Sequence, residues 1–400
     1  MAHIVVVSAP YPGHLNPSLS LATQLVRRGH EVTFSAPARF GESIRRAGAE
    51  PLEYSSPLAE MPLIHHDDLS IMMPCLLSEA KAVFAALNAG LRSRPDCVLF
   101  DVLAWGGLMF AAKHGITEIQ TSPIFASNES FSLESRYGRA AGDPTALEAF
   151  HGELMAFVSD QEIPGVVTGM FDGVARNIVF LPREFQYSGD TFDDRHVFVG
   201  PCFLEGPDAT TPADTRAPVV VSMGTTHTRD AEFFRKCVSA AANLQHPVLI
   251  ITGDGIDHRE LGEIPPNVEL RDRVPSQRAV LAGAKAFVVH GGMNSVMEAL
   301  DQRVPLVVVP QRPEQCANAD RVAELGLGVR LATDCTADEL ARAVQSACAD
   351  PGTSARIGRM HRALQAAGGP ERAARQVEAW LDLPLLRHQP YRVLPVETPL

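Results

Sequence analysis

The sequence predicts an α/β protein built from two doubly wound halves, and three observations predict it. Short β-branched runs alternate with amphipathic helical stretches from the first residues onward. The alternation breaks once, in a proline-rich stretch near the middle, and then resumes. At 400 residues the chain is also long enough for two such units.

The elements follow in order. Ile4–Ser8 is a compact β-branched run, followed by Ala9-Pro10-Tyr11-Pro12-Gly13-His14. A helix then reads as Asn16 at the N-cap, Pro17 at the first helical position, Leu19, Ala22, Leu25 and Val26 as the apolar face, and Arg27-Arg28-Gly29 as the end. Glu31–Ser35 is the next strand, which makes a βαβ unit and a parallel sheet. Cys97–Phe100 delivers Asp101 at its end, and Ile178–Leu181 is a later strand. Pro201–Pro218 loses apolar periodicity and holds Gly206-Pro207-Asp208 and Thr210-Thr211-Pro212. That sets an N-terminal domain at 1–205 and a linker at 206–217.

A second alternation begins with strand Val219–Ser222 and a helix near Ala231–Asn243. Strands Val248–Thr252, Val268–Leu270 and Ala286–Val289, helix Asn294–Leu300 and strand Leu306–Val309 follow. Thr336–Glu339 is a capping box that opens a further helix. The C-terminal domain is expected over 218–370, then a helix over 371–384 returning to the N-terminal domain, then a proline-rich tail over 385–400. In both halves ligands are expected outside the carboxyl ends of the strands.

Composition narrows the function. The net charge is −12 with no basic stripe, which argues against a nucleic-acid or anionic-membrane partner. Seven scattered cysteines without a C-x-x-C fit free thiols rather than a disulfide framework or a zinc site. The opening apolar run lacks a basic leader and reads as a strand, and no apolar stretch is expected to reach the roughly 20 residues that span a bilayer. A cytoplasmic monomer or homodimer is the expectation.

The chemistry concentrates in two C-terminal stretches. His290-Gly291-Gly292-Met293-Asn294-Ser295-Val296-Met297-Glu298 leaves a buried strand, passes two glycines and opens a helix. Glycine admits close approach of backbone to ligand, and the helix start offers amides with partial positive charge, so the stretch is built as a phosphate cradle. Ser295 and Glu298 form S-x-x-E, which is either a capping box or a carboxylate aimed at the hydroxyls of a ribose. Further on, Glu314 and Gln315 offer acceptors and donors suited to vicinal sugar hydroxyls, or form a solvated loop. His65-His66-Asp67-Asp68 lacks ligand spacing and reads as a solvated loop.

Together these stretches resemble the donor-binding signature of nucleotide-sugar glycosyltransferases of the GT-B fold, in which two Rossmann-like domains face each other across a cleft. The H-G-G-x-x-S-x-x-E-A-L stretch from His290, P-L-x-x-x-P from Pro305 and the acidic-Gln-x-x-N-A stretch from Glu314 occur in the family's order. Pro12-Gly13-His14-Leu15-Asn16-Pro17, Phe185-Gln186, Gly189-Asp190-Thr191-Phe192-Asp193-Asp194, Phe198-Val199-Gly200-Pro201 and Val221-Ser222-Met223-Gly224-Thr225 resemble the bacterial macrolide-glycosyltransferase branch of the UDP-glycosyltransferases.

The resemblance implies His14 as the general base and Asp101 as the residue that orients and charge-balances it. Ser222 and Thr225 would line the diphosphate loop, with His290, Gly292, Asn294 and Ser295 nearby. Glu298 would bind ribose, while Glu314 and Gln315 would bind the sugar. Many relatives stack a tryptophan on the base, but here Arg271-Asp272-Arg273-Val274-Pro275-Ser276-Gln277 occupies that stretch and Arg273 or Val274 must cover it. Met61, Met72, Phe84, Phe125 and Phe131 are the candidates for the acceptor pocket, although most of them read as core. Flexible methionines suit a pocket for varied apolar acceptors.

The implied reaction is inverting, metal-independent transfer to a hydroxyl of a hydrophobic acceptor, such as a macrolide, polyketide or phenolic. No cofactor is expected. The co-substrate is a nucleotide sugar, UDP-glucose first and a dTDP-deoxysugar second, and D-x-D is absent. A same-fold epimerase would have no use for an acceptor base. A nicotinamide dehydrogenase would need G-x-G-x-x-G after the first strand, and a non-catalytic nucleotide-sugar binder would not need His14 with Asp101.

Overall fold

Among the described residues the strands form two β-sheets, each parallel throughout, because each strand returns through a crossover. The computed structural model describes the chain apart from residues 62–67, 139–141, 172, 205–217, 225–229 and 383–400, together with the side chains of 168 and 171. The chain divides into two units: Met1–Glu205 with Gln365–Leu400, and Gly206–Leu364. The His65–Asp67 part of the His-Asp run, the expected linker and the expected tail lie outside the described residues.

The first unit holds β1 (His3–Val7), β2 (Glu31–Ala36), β3 (Glu50–Glu53), β4 (Cys97–Asp101), β5 (Thr117–Ser122), β6 (Asn177–Val179) and β7 (His196–Phe198). They lie in the order β3-β2-β1-β4-β5-β6-β7, so the order reverses between β1 and β4. Side chains alternate between faces: Val5, Val7, Val98 and Phe100 enter one core, while Ile4, Val6, Cys97 and Leu99 enter the other. A sheet covered on both faces needs continuous apolar strands, and β1 and β4 supply them.

Three expectations change here. The first helix runs Pro12–Arg27 with Tyr11 as N-cap, not from Asn16. Pro12 offers the same pre-set φ as Pro17, and the Tyr11 carbonyl accepts from the amides of His14 and Leu15 at 3.0 and 2.9 Å. Pro17 therefore lies inside the helix, and His14 lies within its first turn rather than ahead of it. Second, the helix Leu69–Gly90 is long and apolar enough to cross a membrane, against the expectation that no such stretch exists. Part of that apolarity serves the core: Leu76, Leu77, Ala80, Val83, Phe84 and Leu87 pack with Trp105, Leu108 and Phe150. Third, the return to the first unit begins at Gln365, ahead of 371. The helix Gly369–Leu381 then sends Ala373, Ala374, Val377 and Trp380 into the core that Leu15 and Leu19 share.

The second unit holds β8 (Val219–Ser222), β9 (Val248–Ile251), β10 (Val268–Arg271), β11 (Ala286–Val289), β12 (Leu306–Val308) and β13 (Gly328–Arg330), ordered β10-β9-β8-β11-β12-β13. The capping box at Thr336 forms, with Thr336 and Glu339 exchanging bonds at the start of Ala337–Ala349. All seven cysteines are free, and burial pushes the thiols of Cys97, Cys202 and Cys237 upward, away from the reactive thiolate.

Candidate functional site

The two sheets carry the candidate side chains at their carboxyl edges, one set in each unit. In the first, β1 and β4 are neighbours with Val7 opposite Phe100, so Asp101 lies one step beyond the last paired residue, beside the chain leaving β1. His14 Nδ1 stands 3.0 and 2.9 Å from the two oxygens of Asp101. Asp101 is fully buried, and one of its oxygens also accepts the Leu103 amide at 2.9 Å, an Asx turn that holds the carboxylate still. A carboxylate only accepts, so in the neutral ring Nδ1 carries the proton and the lone pair is left on Nε2. The His14 side chain is 15% exposed, enough for a ligand to meet the ring.

In the second unit the stretch after β11 is shaped by glycine for reasons the sequence did not show. A Cβ on Gly224, whose φ is +69°, would stand 2.5 Å from His290 Cε1, and one on Gly292 would stand 2.6 Å from Nε2. Gly291, at φ +89°, would meet Val308 and the Gln315 backbone. The glycines thus admit the buried His290 ring and the neighbouring strand as well as any ligand.

The helix opens at Met293 with Gly292 as its N-cap and no side-chain capping bond. The S-x-x-E of Ser295 and Glu298 is therefore not a capping box. Instead Gln277 donates to Ser295 Oγ at 3.1 Å and to Glu298 Oε2 at 2.7 Å. Burial pushes the Glu298 carboxyl above its ordinary range, and the Gln277 bond opposes that shift. A ligand bringing hydroxyl donors would offset the same desolvation.

Glu314 and Gln315 occupy the first turn of the helix Pro313–Glu324, not a loop. Gln315 is buried and accepts the Gln311 amide at 2.9 Å, which turns its amide nitrogen to other partners. Asn318 donates to the Gly291 carbonyl at 2.7 Å and to Glu314 Oε1 at 2.9 Å, tying the two donor stretches together. Ser222 ends β8, and its hydroxyl accepts the Gly224 amide at 3.4 Å. Asn294 is half-buried on the first turn after Gly292. Thr225 lies outside the described residues. Val274 is half-buried beyond β10, and the neighbouring Arg273 pairs with Asp254. Both tryptophans, Trp105 and Trp380, are in the cores of the first unit.

The five acceptor candidates fall into two groups. Met72 and Phe84 are buried in the helical core, with Met61 half-buried against it. Phe125 and Phe131, also buried, form an aromatic cluster with Phe185 and Tyr187 beyond β5 and β6, Phe131 and Tyr187 stacking 4.8 Å apart. Sequence reasoning gave no role to Tyr11, Gln277 or Asn318 in the candidate site. Gln277 and Asn318 lay in stretches already singled out, and Asn318 is four residues from Glu314 and so on the same helix face. No spacing connects Gln277 to Glu298.

Comparison with known proteins places this chain among its relatives. Residues 235–380 match a family model described as erythromycin biosynthesis protein CIII-like, C-terminal domain. The chain is 37% identical over 397 residues to the NDP-glycosyltransferase YjiC of Bacillus licheniformis, covering 95% of this chain and 98% of that protein. It is 35% identical to a demethyllactenocin mycarosyltransferase of Streptomyces fradiae, over 96% of this chain and 87% of the relative. Among solved structures the calicheamicin glycosyltransferase CalG4 is similar, with a TM-score of 0.83 and 33% identity, covering 95% of this chain and 98% of that one.

Proposed function

Because this chain belongs to the nucleotide-sugar glycosyltransferases of the GT-B fold, we propose that it carries out inverting, metal-independent transfer of a sugar to a hydroxyl of a hydrophobic natural product. The observation that carries the reading is the His14–Asp101 pair. A binding protein needs no buried carboxylate fixing the tautomer of a partly exposed imidazole, whereas an acceptor hydroxyl needs a base to take its proton.

The steps balance as a single displacement. The acceptor oxygen attacks the anomeric carbon as His14 Nε2 takes its proton, and the bond from that carbon to the diphosphate oxygen breaks. Configuration inverts, and Asp101 stabilises the imidazolium. Negative charge grows on the departing diphosphate, where the Gly291–Gly292 turn, the Met293 helix start, Ser222, Thr225, Ser295 and His290 are the proposed stabilisers. Glu298, preset by Gln277, grips the ribose, and Glu314 with Gln315 takes the sugar hydroxyls.

UDP-glucose is the first-choice donor. A dTDP-deoxysugar is the second reading, favoured by the absence of a tryptophan beside Val274 and by the mycarosyltransferase among the relatives. Macrolides, polyketides and phenolics are the proposed acceptors. A mass-spectrometric screen of UDP- and dTDP-sugars against such acceptors tests the proposal. It expects a product heavier by one sugar residue, and donor hydrolysis without any acceptor product would contradict it.

A further inference from the structure

Glu79 sits on the helix Leu69–Gly90, is only 3% exposed, and has no part in the reaction above. Its carboxylate accepts from the Tyr54 hydroxyl at 2.6 Å, from the Ser56 hydroxyl at 2.9 and 2.8 Å, and from the Leu58 amide at 3.0 Å. A carboxylate in a core is costly unless donors surround it, and these donors all come from one stretch, 54–58. That stretch leaves the carboxyl end of β3 and turns through a short helix, Pro57–Glu60, capped by Ser56 and ended by Met61. The Leu58 carbonyl accepts the Tyr11 hydroxyl at 3.4 Å. The Tyr11 ring meets His14 edge-on, 6.1 Å between centroids. On its other side, the loop bearing Tyr11 is held by Arg39, which donates to the Pro10 carbonyl at 2.8 Å.

An apolar side chain at 79 would pack this helix as its neighbours Leu76, Ala80 and Val83 do. A carboxylate adds a demand those residues do not make: the 54–58 chain must keep one arrangement to supply its donors. We propose that Glu79 is a positioning residue for the acceptor. It fixes the wall formed by 54–61 and, through Leu58 and Tyr11, the flank of His14 against which the acceptor hydroxyl lies. This rests on reading His14 as the acceptor base. The donor contacts proposed above lie in the second unit and do not depend on Glu79.

The test uses the full-length enzyme at saturating donor with an acceptor found in the screen. The side-chain amide of the E79Q variant has a single acceptor oxygen, which cannot serve Tyr54, Ser56 and Leu58 together. Acceptor KM should rise about tenfold in E79Q, the scale of one or two lost hydrogen bonds, and less in Ser56→Ala. The turnover number and the calorimetric affinity for UDP should stay near wild type, and E79Q and Tyr11→Phe should be less than additive when combined. A lower melting temperature with unchanged acceptor KM, or equal losses for donor and acceptor, would overturn the proposal. If E79Q does not fold, Ser56→Ala and Tyr11→Phe must still raise acceptor KM, and no change in either overturns it. A wild type without transferase activity removes the base reading and this proposal together. An active wild type whose variants keep their acceptor KM removes this proposal alone.

Discussion

At the scale of residues, the proposed chemistry turns on which atom holds which proton. Asp101 receives one hydrogen bond from its own turn and presents both oxygens to His14 Nδ1, so the imidazole has one useful tautomer. Asp101→Asn offers an amide that can donate to Nδ1 and so favour the other tautomer. Turnover on an unactivated alcohol should fall by about 10²–10⁴-fold, with UDP affinity by calorimetry unchanged; a near-native rate would mean that Asp101 only shapes its turn. The same logic separates the donor contacts. Glu298→Ala should weaken both UDP and intact donor, because it removes charge-assisted bonds worth roughly 1.5–3 kcal/mol that the two ligands share. Gln315→Ala should weaken the intact donor while leaving UDP nearly untouched. Equal losses of UDP affinity in the two variants would show the sugar misplaced.

At the scale of elements, turns and termini carry the site, and they respond differently to substitution. Gly224 and Gly13 make the contrast. A methyl on Gly224 meets the His290 ring at a backbone angle that costs about 1–3 kcal/mol for other residues, whereas one on Gly13 meets nothing within 4 Å. Gly224→Ala should therefore lower the melting temperature and weaken donor binding, while Gly13→Ala should leave the melting temperature unchanged or raised. The C-terminal helix gives a pH signature. The Arg28 hydrogen bonds hold the Glu378 carboxyl down at about 2 against an ordinary 4.5, with His30 adding another bond. A carboxyl depressed on folding stabilises above its unfolded value and loses that contribution as pH falls through the folded value. The melting-temperature gap between wild type and Glu378→Gln should thus be small but steady above pH 4.5 and close toward pH 2. A gap that widens in acid would contradict the assignment.

These elements also show what could be read from the residues. The strands at Val219, Ala286 and Leu306 were legible because buried parallel strands are unbroken apolar runs. The helix start was not, since Pro12 and Pro17 satisfy the same rule and only the Tyr11 carbonyl decides between them. The edge strand Glu50–Glu53 has two glutamates and a proline in four residues, and gives no periodic signal. The pairing of His14 with Asp101 was implied by the family resemblance, whereas their 2.9 Å contact depends on strand order, which brings together residues far apart in the chain. Glu79 gave no signal at all, because a single acid in an apolar helix looks the same whether it faces solvent or a ring of donors.

At the scale of the whole molecule, two parallel sheets divide the proposed work: one carries the proposed base and the other the proposed donor contacts. The proposed stabilisation of the departing charge by backbone amides and His290 requires no divalent ion. Activity should survive exhaustive EDTA treatment, and a loss restored by magnesium or manganese would require a different phosphate site. The most direct test of the central claim compares wild type with His14→Ala on the same donor and an unactivated alcohol, following initial rates and calorimetric donor affinity together. Turnover should fall by about 10²–10⁴-fold with donor affinity unchanged. Near-native turnover in His14→Ala would contradict it.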